Sequence, residues 1–257
     1  MDIKILVATH KKYKMPKDNM YLPLHVGRNG KADLGYAGDN TGDNISSKNA
    51  NFCELTGLYW AYKNLKCDYI GLCHYRRYFT LKSNIEIVKE RNNKFSLIPS
   101  TEEIKKLMNS YDVILPKKRN YYIETVKSHY KNAHHIADMD RVENIIKEHH
   151  SEYIESFNQV MDNSKLYLYN MFIMSKSDFD NYCSWLFDIL FKLEKEIDIT
   201  DYDSYQSRIY GFLSERLFNV WLHKQNFKTK EISVINMENV NWYKKIKDFL
   251  KRKIASN

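Results

Sequence analysis

Asp68-Tyr-Ile-Gly-Leu-Cys-His-Tyr-Arg-Arg-Tyr-Phe79 decides how the rest of this 257-residue chain is read. Its first half is apolar and predicts a short buried strand over 69–73. The strand stops abruptly at His74, Arg76 and Arg77, which sit among Tyr75, Tyr78 and Phe79. In open α/β sheets, ligands bind outside the carboxyl ends of strands. Arginine pairs with phosphate through two parallel hydrogen bonds, and aromatic neighbours limit its solvation. The cluster therefore predicts an anion site, most naturally for a diphosphate. The competing reading is a surface strand end whose arginines pair with carboxylates, but such pairs need no flanking aromatics. If the chain stays extended, alternation puts His74, Arg76 and Tyr78 on one side and Arg77 on the other, so two of the three cations reach the anion.

Working outward, residues 3–8 form an apolar run suited to a central parallel strand, ending at Thr9-His10-Lys11. Seven of the eight glycines fall between Gly27 and Gly71, and residues 26–44 read as a long irregular segment rich in Gly, Asn and Asp. Loops of that length in a compact domain are usually functional or disordered, and this one matches no phosphate-cradling glycine pattern. Residues 49–64 predict one helix, with Leu55, Leu58, Tyr59 and Tyr62 as its buried stripe. Further helices are expected over 102–108, 124–135, 141–150, 178–196 and 207–224, and strands over 112–115, 167–174 and 232–235. Strands alternating with helices indicate α/β architecture.

The net charge of +8 admits nucleic acid, an anionic membrane surface or an anionic small molecule as partner. Nucleic acid is disfavoured, because the arginines cluster at a strand end and no recognition motif is present. In the tail, Trp242, Ile246, Phe249, Leu250 and Ile254 follow helical spacing opposite Lys244, Lys245, Lys247, Lys251 and Arg252. Such a basic amphipathic helix suits an anionic bilayer surface, or equally the protein's own core. The expected organisation is one domain over 1–240 and this tail over 241–257. No run is long enough for a transmembrane helix, and the N-terminus reads as a strand rather than a signal peptide. Cys53, Cys67, Cys73 and Cys183 show no metal spacing and read as reduced residues of a cytoplasmic protein. Asp138-Met-Asp140 reads as a helix cap and first turn, and His134-His135 and His149-His150 as surface residues.

The order of strand, helix beginning near Asn49, and strand ending near residue 73 resembles the GT-A (nucleotide-diphospho-sugar transferase) fold. That resemblance implies an open, mostly parallel sheet flanked by helices. It also implies a nucleotide at the first strand's end, against Thr9, His10 and Lys11. Where that fold carries a metal-binding Asp-X-Asp, this chain has Cys73-His74-Tyr75. Lys4-Ile-Leu-Val-Ala-Thr-His-Lys11, the Cys-Glu-Leu-Thr-Gly-Leu-Tyr-Trp core of residues 53–60, Gly71-Leu-Cys-His-Tyr-Arg-Arg-Tyr-Phe79, Asn170-Met-Phe-Ile-Met174 and Gly211-Phe-Leu-Ser-Glu-Arg-Leu-Phe218 resemble a bacterial family. That family is found in capsule and exopolysaccharide gene clusters and carries a domain of unknown function. The resemblance implies a glycosyltransferase acting between a nucleotide sugar, UDP-linked by expectation, and a lipid-linked saccharide at the inner membrane face. Some members resemble galactofuranosyltransferases.

A glycosyltransferase must stabilise a departing nucleoside diphosphate. His74, Arg76 and Arg77 are expected to do so without a metal. The alternative is Mg²⁺ or Mn²⁺ held through Asp39 or Asp43 of the glycine-rich loop. Glu215 is the first candidate for a catalytic base and Asp203 the second. Beside Arg216, Glu215 reads equally as half of a buried ion pair. Asn170 is expected to face the donor sugar. A nucleotidyltransferase or a sugar-nucleotide hydrolase is the remaining enzymatic reading.

Overall fold

A computed structural model describes residues 1–238. The basic amphipathic segment at 242–254 lies outside the described residues. The first strand, β1 (Ile3–Thr9), is apolar on both faces, as a central strand must be. Leu6 and Ala8 enter one buried cluster, and Ile3, Ile5 and Val7 enter the other on the opposite face of the sheet. β2 (Tyr21–His25) and β4 (Tyr69–His74) flank β1, both parallel to it, and the two-residue β3 (Ala37–Gly38) extends the edge beyond β2. β2 was not anticipated, because Pro23 interrupts its pattern. The proline is tolerated because β3 reaches only Leu24 and His25.

The free side of β4 is shared. β9 (Phe172–Ser175) runs antiparallel along residues 69–72, and β5 (Arg77–Thr80) pairs at the end through His74 and Arg77. β6 (Val113–Pro116) joins β9, and β10 (Thr229–Asn236) lies between β6 and β5. Strands β4, β9, β6, β10 and β5 thus close into a ring. The sheet is mixed rather than mostly parallel, with antiparallel pairing wherever β5 or β9 takes part. Gly71 permits the closure, since a Cβ there would stand 2.8 Å from the Phe172 carbonyl oxygen. β7 (Arg119–Asn120) and β8 (Lys165–Leu166) form a separate short ribbon.

The expected helix over 49–64 is two helices, α1 (Asn49–Phe52) and α2 (Leu55–Asn64), broken at Cys53 (φ 52°, ψ −132°). α3 (Asn84–Lys89) and α4 (Thr101–Met108) both begin in capping boxes, at Ser83 and Ser100. α5 (Val126–Ala133), α6 (Ile136–His149) and α7 (Ile154–Asp162) pack with α8 (Lys176–Glu196) and α9 (Ile209–Lys224) over one face of the sheet. The apolar stripe of α8, Phe179, Tyr182, Cys183, Leu186, Leu190 and Leu193, is fully buried. α6 starts earlier than expected, so Asp138 lies inside its first turn, buried, with the Tyr202 hydroxyl donating to it at 2.8 Å. Asp140 instead meets Lys127, so the Asp-X-Asp carboxylates do not converge. The histidine pairs are less superficial than expected. His134 stacks on Phe212 at 4.1 Å, and His150 Nε2 lies 2.8 Å from Asp188.

Candidate active site

The carboxyl ends of β1, β2 and β4 open into a cavity of about 600 Å³. Thr9, His10, Asn49, His74, Arg76, Arg77 and Glu215, all singled out from the sequence, line it. The way three of them gather there differs from expectation. The chain does not stay extended through His74-Tyr-Arg-Arg77 but reverses in a hairpin, with His74 opposite Arg77. The turn carries His74, Arg76 and Arg77 all to the cavity wall, while Tyr78 is buried elsewhere, against Tyr21 and Met15.

Sequence reasoning missed Lys31, Cys53, Glu54, Tyr169 and Arg208, which complete the wall. They come from loops and a helix joint, far apart in sequence. Among the described residues, Lys31, Arg77 and Arg208 pair with no carboxylate, whereas Arg76 lies 3.1 Å from Glu238. The Arg77 guanidinium sits 4.7 Å from the centre of the Tyr169 ring, and that of Arg76 sits 4.9 Å from the Tyr75 ring. Arg208 Nε donates to Cys53 Sγ at 3.3 Å. Even so, burial pushes the Cys53 thiol above its ordinary pKa. The His10 ring reports the local field. Burial first, then Arg76, Lys11, Lys31 and Arg208, hold its pKa below the usual histidine value. The cavity wall thus carries an excess of positive charge, with Lys31, Arg76, Arg77 and Arg208 set against Glu54 and Glu215.

One wall is a backbone turn held by side chains. Tyr169 and Asn170 both occupy the left-handed region, at φ 74° and 52°, before β9 begins. Asn170 therefore stands on this turn rather than on the strand itself. His74 Nε2 lies 2.7 Å from the Tyr169 carbonyl, and the Tyr169 amide donates to Glu215 Oε1 at 2.7 Å. Glu215 Oε2 receives Arg216 Nη1 at 3.2 Å. Arg216 is buried, donates to the Phe212 carbonyl at 2.9 Å and lies over the Tyr130 ring. Burial raises the Glu215 pKa, with Arg216 and the Tyr169 amide opposing. Asn170 Nδ2 donates to Glu54 Oε1 at 2.9 Å and Ser214 Oγ at 3.0 Å.

Lys11, Asp39, Asp43 and Asp203, the other sequence candidates, do not line the cavity. Lys11 lies over the Tyr75 ring, 5.3 Å from its centre. Asp203 accepts from the amides of Tyr205 and Gln206, tying the turn that leads into α9. Asp39 is fully buried and accepts from the amides of Gly27 and Arg28 and from the hydroxyls of Ser46 and Thr56. Asp43 is exposed and accepts from the Tyr59 hydroxyl at 3.2 Å. Asn49 lines the cavity, but its amide donates to the Cys53 carbonyl at 2.7 Å and so holds the joint between α1 and α2.

A divalent metal, which the GT-A resemblance implies, does not fit the donor set at the β4 end. Cys73 is buried, His74 Nε2 is taken by Tyr169, and the four lone pairs of Asp39 are all engaged. Among the described residues, no group of three metal-ligating side chains converges.

A hairpin of basic and aromatic residues thus stands at the end of parallel strands and shares the cavity wall with Glu215 of α9. The chain belongs to the family described as domain of unknown function DUF4422, whose model matches residues 4–226. It is similar to the apo structure of WbbM, a bifunctional glycosyltransferase, with 33% identity and a TM-score of 0.84 over 93% of this chain. The match covers 46% of that protein, so this chain spans about half its length. No curated protein matches the chain. Among the described residues, no helix is long and apolar enough to cross a membrane.

Proposed function

We propose that this protein is a glycosyltransferase of GT-A architecture. It moves a sugar from a nucleotide-diphospho-sugar to a saccharide acceptor. The observation that carries the reading is the cavity at the carboxyl ends of β1, β2 and β4, where Lys31, Arg77 and Arg208 have no carboxylate partner among the described residues. Similarity to WbbM supports sugar transfer as the reaction. β1, α1–α2 and β4, followed by antiparallel β9, support the GT-A assignment.

In this reading the diphosphate lies against the hairpin. Arg77 and Arg208 contact its oxygens, with Lys31 toward the nucleoside side. As the sugar–oxygen bond breaks, charge grows on the leaving diphosphate, and cations already in place lower the barrier. These side chains replace the Asp-X-Asp metal, so transfer proceeds without one. Arg76 exchanges Glu238 for phosphate. His74 and Glu215 act through the backbone, holding Tyr169 so that its ring faces the sugar. A UDP-sugar donor, UDP-galactofuranose included, and a lipid-linked acceptor of capsule or exopolysaccharide synthesis at the inner membrane face follow from the family resemblance.

Product analysis tests the reading. The protein is incubated with UDP-sugars and alkyl glycosides, and products are resolved by mass spectrometry and NMR. A new glycosidic bond is expected. Free sugar with UDP and no new glycoside would indicate a hydrolase, and sugar 1-phosphate a nucleotidyltransferase or a diphosphate-cleaving hydrolase; either would overturn it.

A further inference from the structure

Sugar transfer by direct displacement needs a base with an open lone pair within reach of the acceptor hydroxyl. Two carboxylates line the cavity, Glu54 and Glu215. Glu215 has both oxygens committed, one to the Tyr169 amide and the other to Arg216. Glu54 differs. Its Oε1 accepts from Asn170, while Oε2 receives no hydrogen bond and meets no cation at ion-pair distance among the described residues.

The fold goes to some lengths to place this side chain. α1 is cut short at Cys53, whose φ of 52° and ψ of −132° suit glycine far better. Asn49 secures the distorted joint by donating to the Cys53 carbonyl, and the Thr56 amide donates there as well, at 3.4 Å. Without that break, α1 and α2 would run on as one helix, and Glu54 would take a different direction. Asn170 is itself fixed. Its two amide hydrogens go to Glu54 and Ser214, and Ser214 Oγ donates to the Gly211 carbonyl at 2.9 Å. A flipped amide would set Oδ1 against the Glu54 carboxylate, so the donor orientation is the one that fits. Asn170 Oδ1 is buried and has no partner, a cost the site bears to keep Nδ2 on Glu54.

We infer that Glu54 is the general base of this enzyme, with Asn170 and Ser214 as its positioning residues; the inference rests on the glycosyltransferase reading above. The acceptor hydroxyl gives its proton to Glu54 Oε2, and its oxygen bonds to the anomeric carbon. The bond from that carbon to the diphosphate oxygen breaks, and the electron pair leaves with the nucleoside diphosphate. Arg77, Arg208 and Lys31 neutralise the charge, and the anomeric configuration inverts.

The test compares Glu54→Gln, Glu54→Asp, Asn170→Ala and wild type. Each is assayed with UDP-galactopyranose, UDP-galactofuranose, UDP-glucose and UDP-N-acetylglucosamine as donors and octyl β-galactoside or octyl β-glucoside as acceptor. UDP release and product configuration are read out, and UDP binding is measured by calorimetry. Loss of a general base lowers kcat by about 10²- to 10⁴-fold. That loss is expected for Glu54→Gln, with UDP affinity within about threefold of wild type and partial recovery in Glu54→Asp. Asn170→Ala leaves the carboxylate free to turn away, so kcat falls while UDP affinity and the donor KM stay within about threefold of wild type. A Glu54→Gln enzyme that transfers at near wild-type kcat, or a wild-type product with retained configuration, would overturn the assignment while leaving the glycosyltransferase reading intact. A wild type that neither binds UDP nor releases it from any donor would overturn both.

Discussion

Replacing Asp39 by Asn separates two roles for this carboxylate. Asp39 has no exposure to solvent and collects four donors: the amides of Gly27 at 2.7 Å and Arg28 at 3.0 Å, the Thr56 hydroxyl at 2.6 Å, and the Ser46 hydroxyl. These donors come from the loop after β2, the turn before α1, and α2. The carboxylate therefore fastens the glycine-rich segment to the helix beside the cavity. An Asn is nearly isosteric but presents an NH₂ where one oxygen stood. Two donors then face a donor, and two hydrogen bonds to a charged acceptor are lost at about 1.5–3 kcal/mol each. Allowing for relaxation, Asp39→Asn should cost roughly 3–5 kcal/mol, the range found when one partner of a buried charged network is removed. For a domain of this size that is a fall of about 6–20 °C in Tm, taking roughly 2–4 °C per kcal/mol. Urea unfolding followed by circular dichroism, with the midpoint and slope compared to wild type, gives the difference. A loss under about 1 kcal/mol, with UDP binding newly sensitive to magnesium, would refute the fastening role and favour the metal-ligand role instead.

Two further outcomes follow from local geometry. Gly27 has φ +63°, and a Cβ there would lie 2.3 Å from Asn49 Oδ1, so Gly27→Ala should destabilise by more than the roughly 1–2 kcal/mol of the backbone term alone; equal urea midpoints would contradict this. Burial lowers the His134 pKa to about 4, so protonation favours the unfolded chain, and stability should fall as pH drops from about 6.5 to about 4. His134→Gln should flatten that slope in midpoint-against-pH measurements, and parallel wild-type and variant curves would refute the cause.

Much of the scaffold was readable because burial leaves a periodic trace. β1 and β4 are apolar runs with polar ends, and α8 carries a clean 3.6-residue stripe. The hairpin at Tyr75-Arg76 was not readable, since neither turn residue is Gly, Asn or Asp. That one reversal changes which cations face the cavity. The break at Cys53 was hidden as well, because the Asn49 side chain holds it through a contact that periodicity does not record. Glu54 sat in plain view inside a family-like segment, but within what read as one unbroken helix over 49–64. Lys31, Tyr169 and Arg208 reach the cavity only through tertiary folding. Tyr169 carried one weak signal, its place before Asn170, a residue type that tolerates the left-handed turn.

Calorimetric titration of UDP in the presence of EDTA, for wild type and Arg77→Ala, tests the central claim most directly. The account predicts that wild type binds without added metal. It also predicts that Arg77→Ala weakens binding by roughly 10- to 100-fold, the equivalent of about 1.5–3 kcal/mol for a lost bond to a charged group. Binding that appears only with magnesium or manganese, or affinity unchanged in Arg77→Ala, would contradict a diphosphate held by the cationic hairpin.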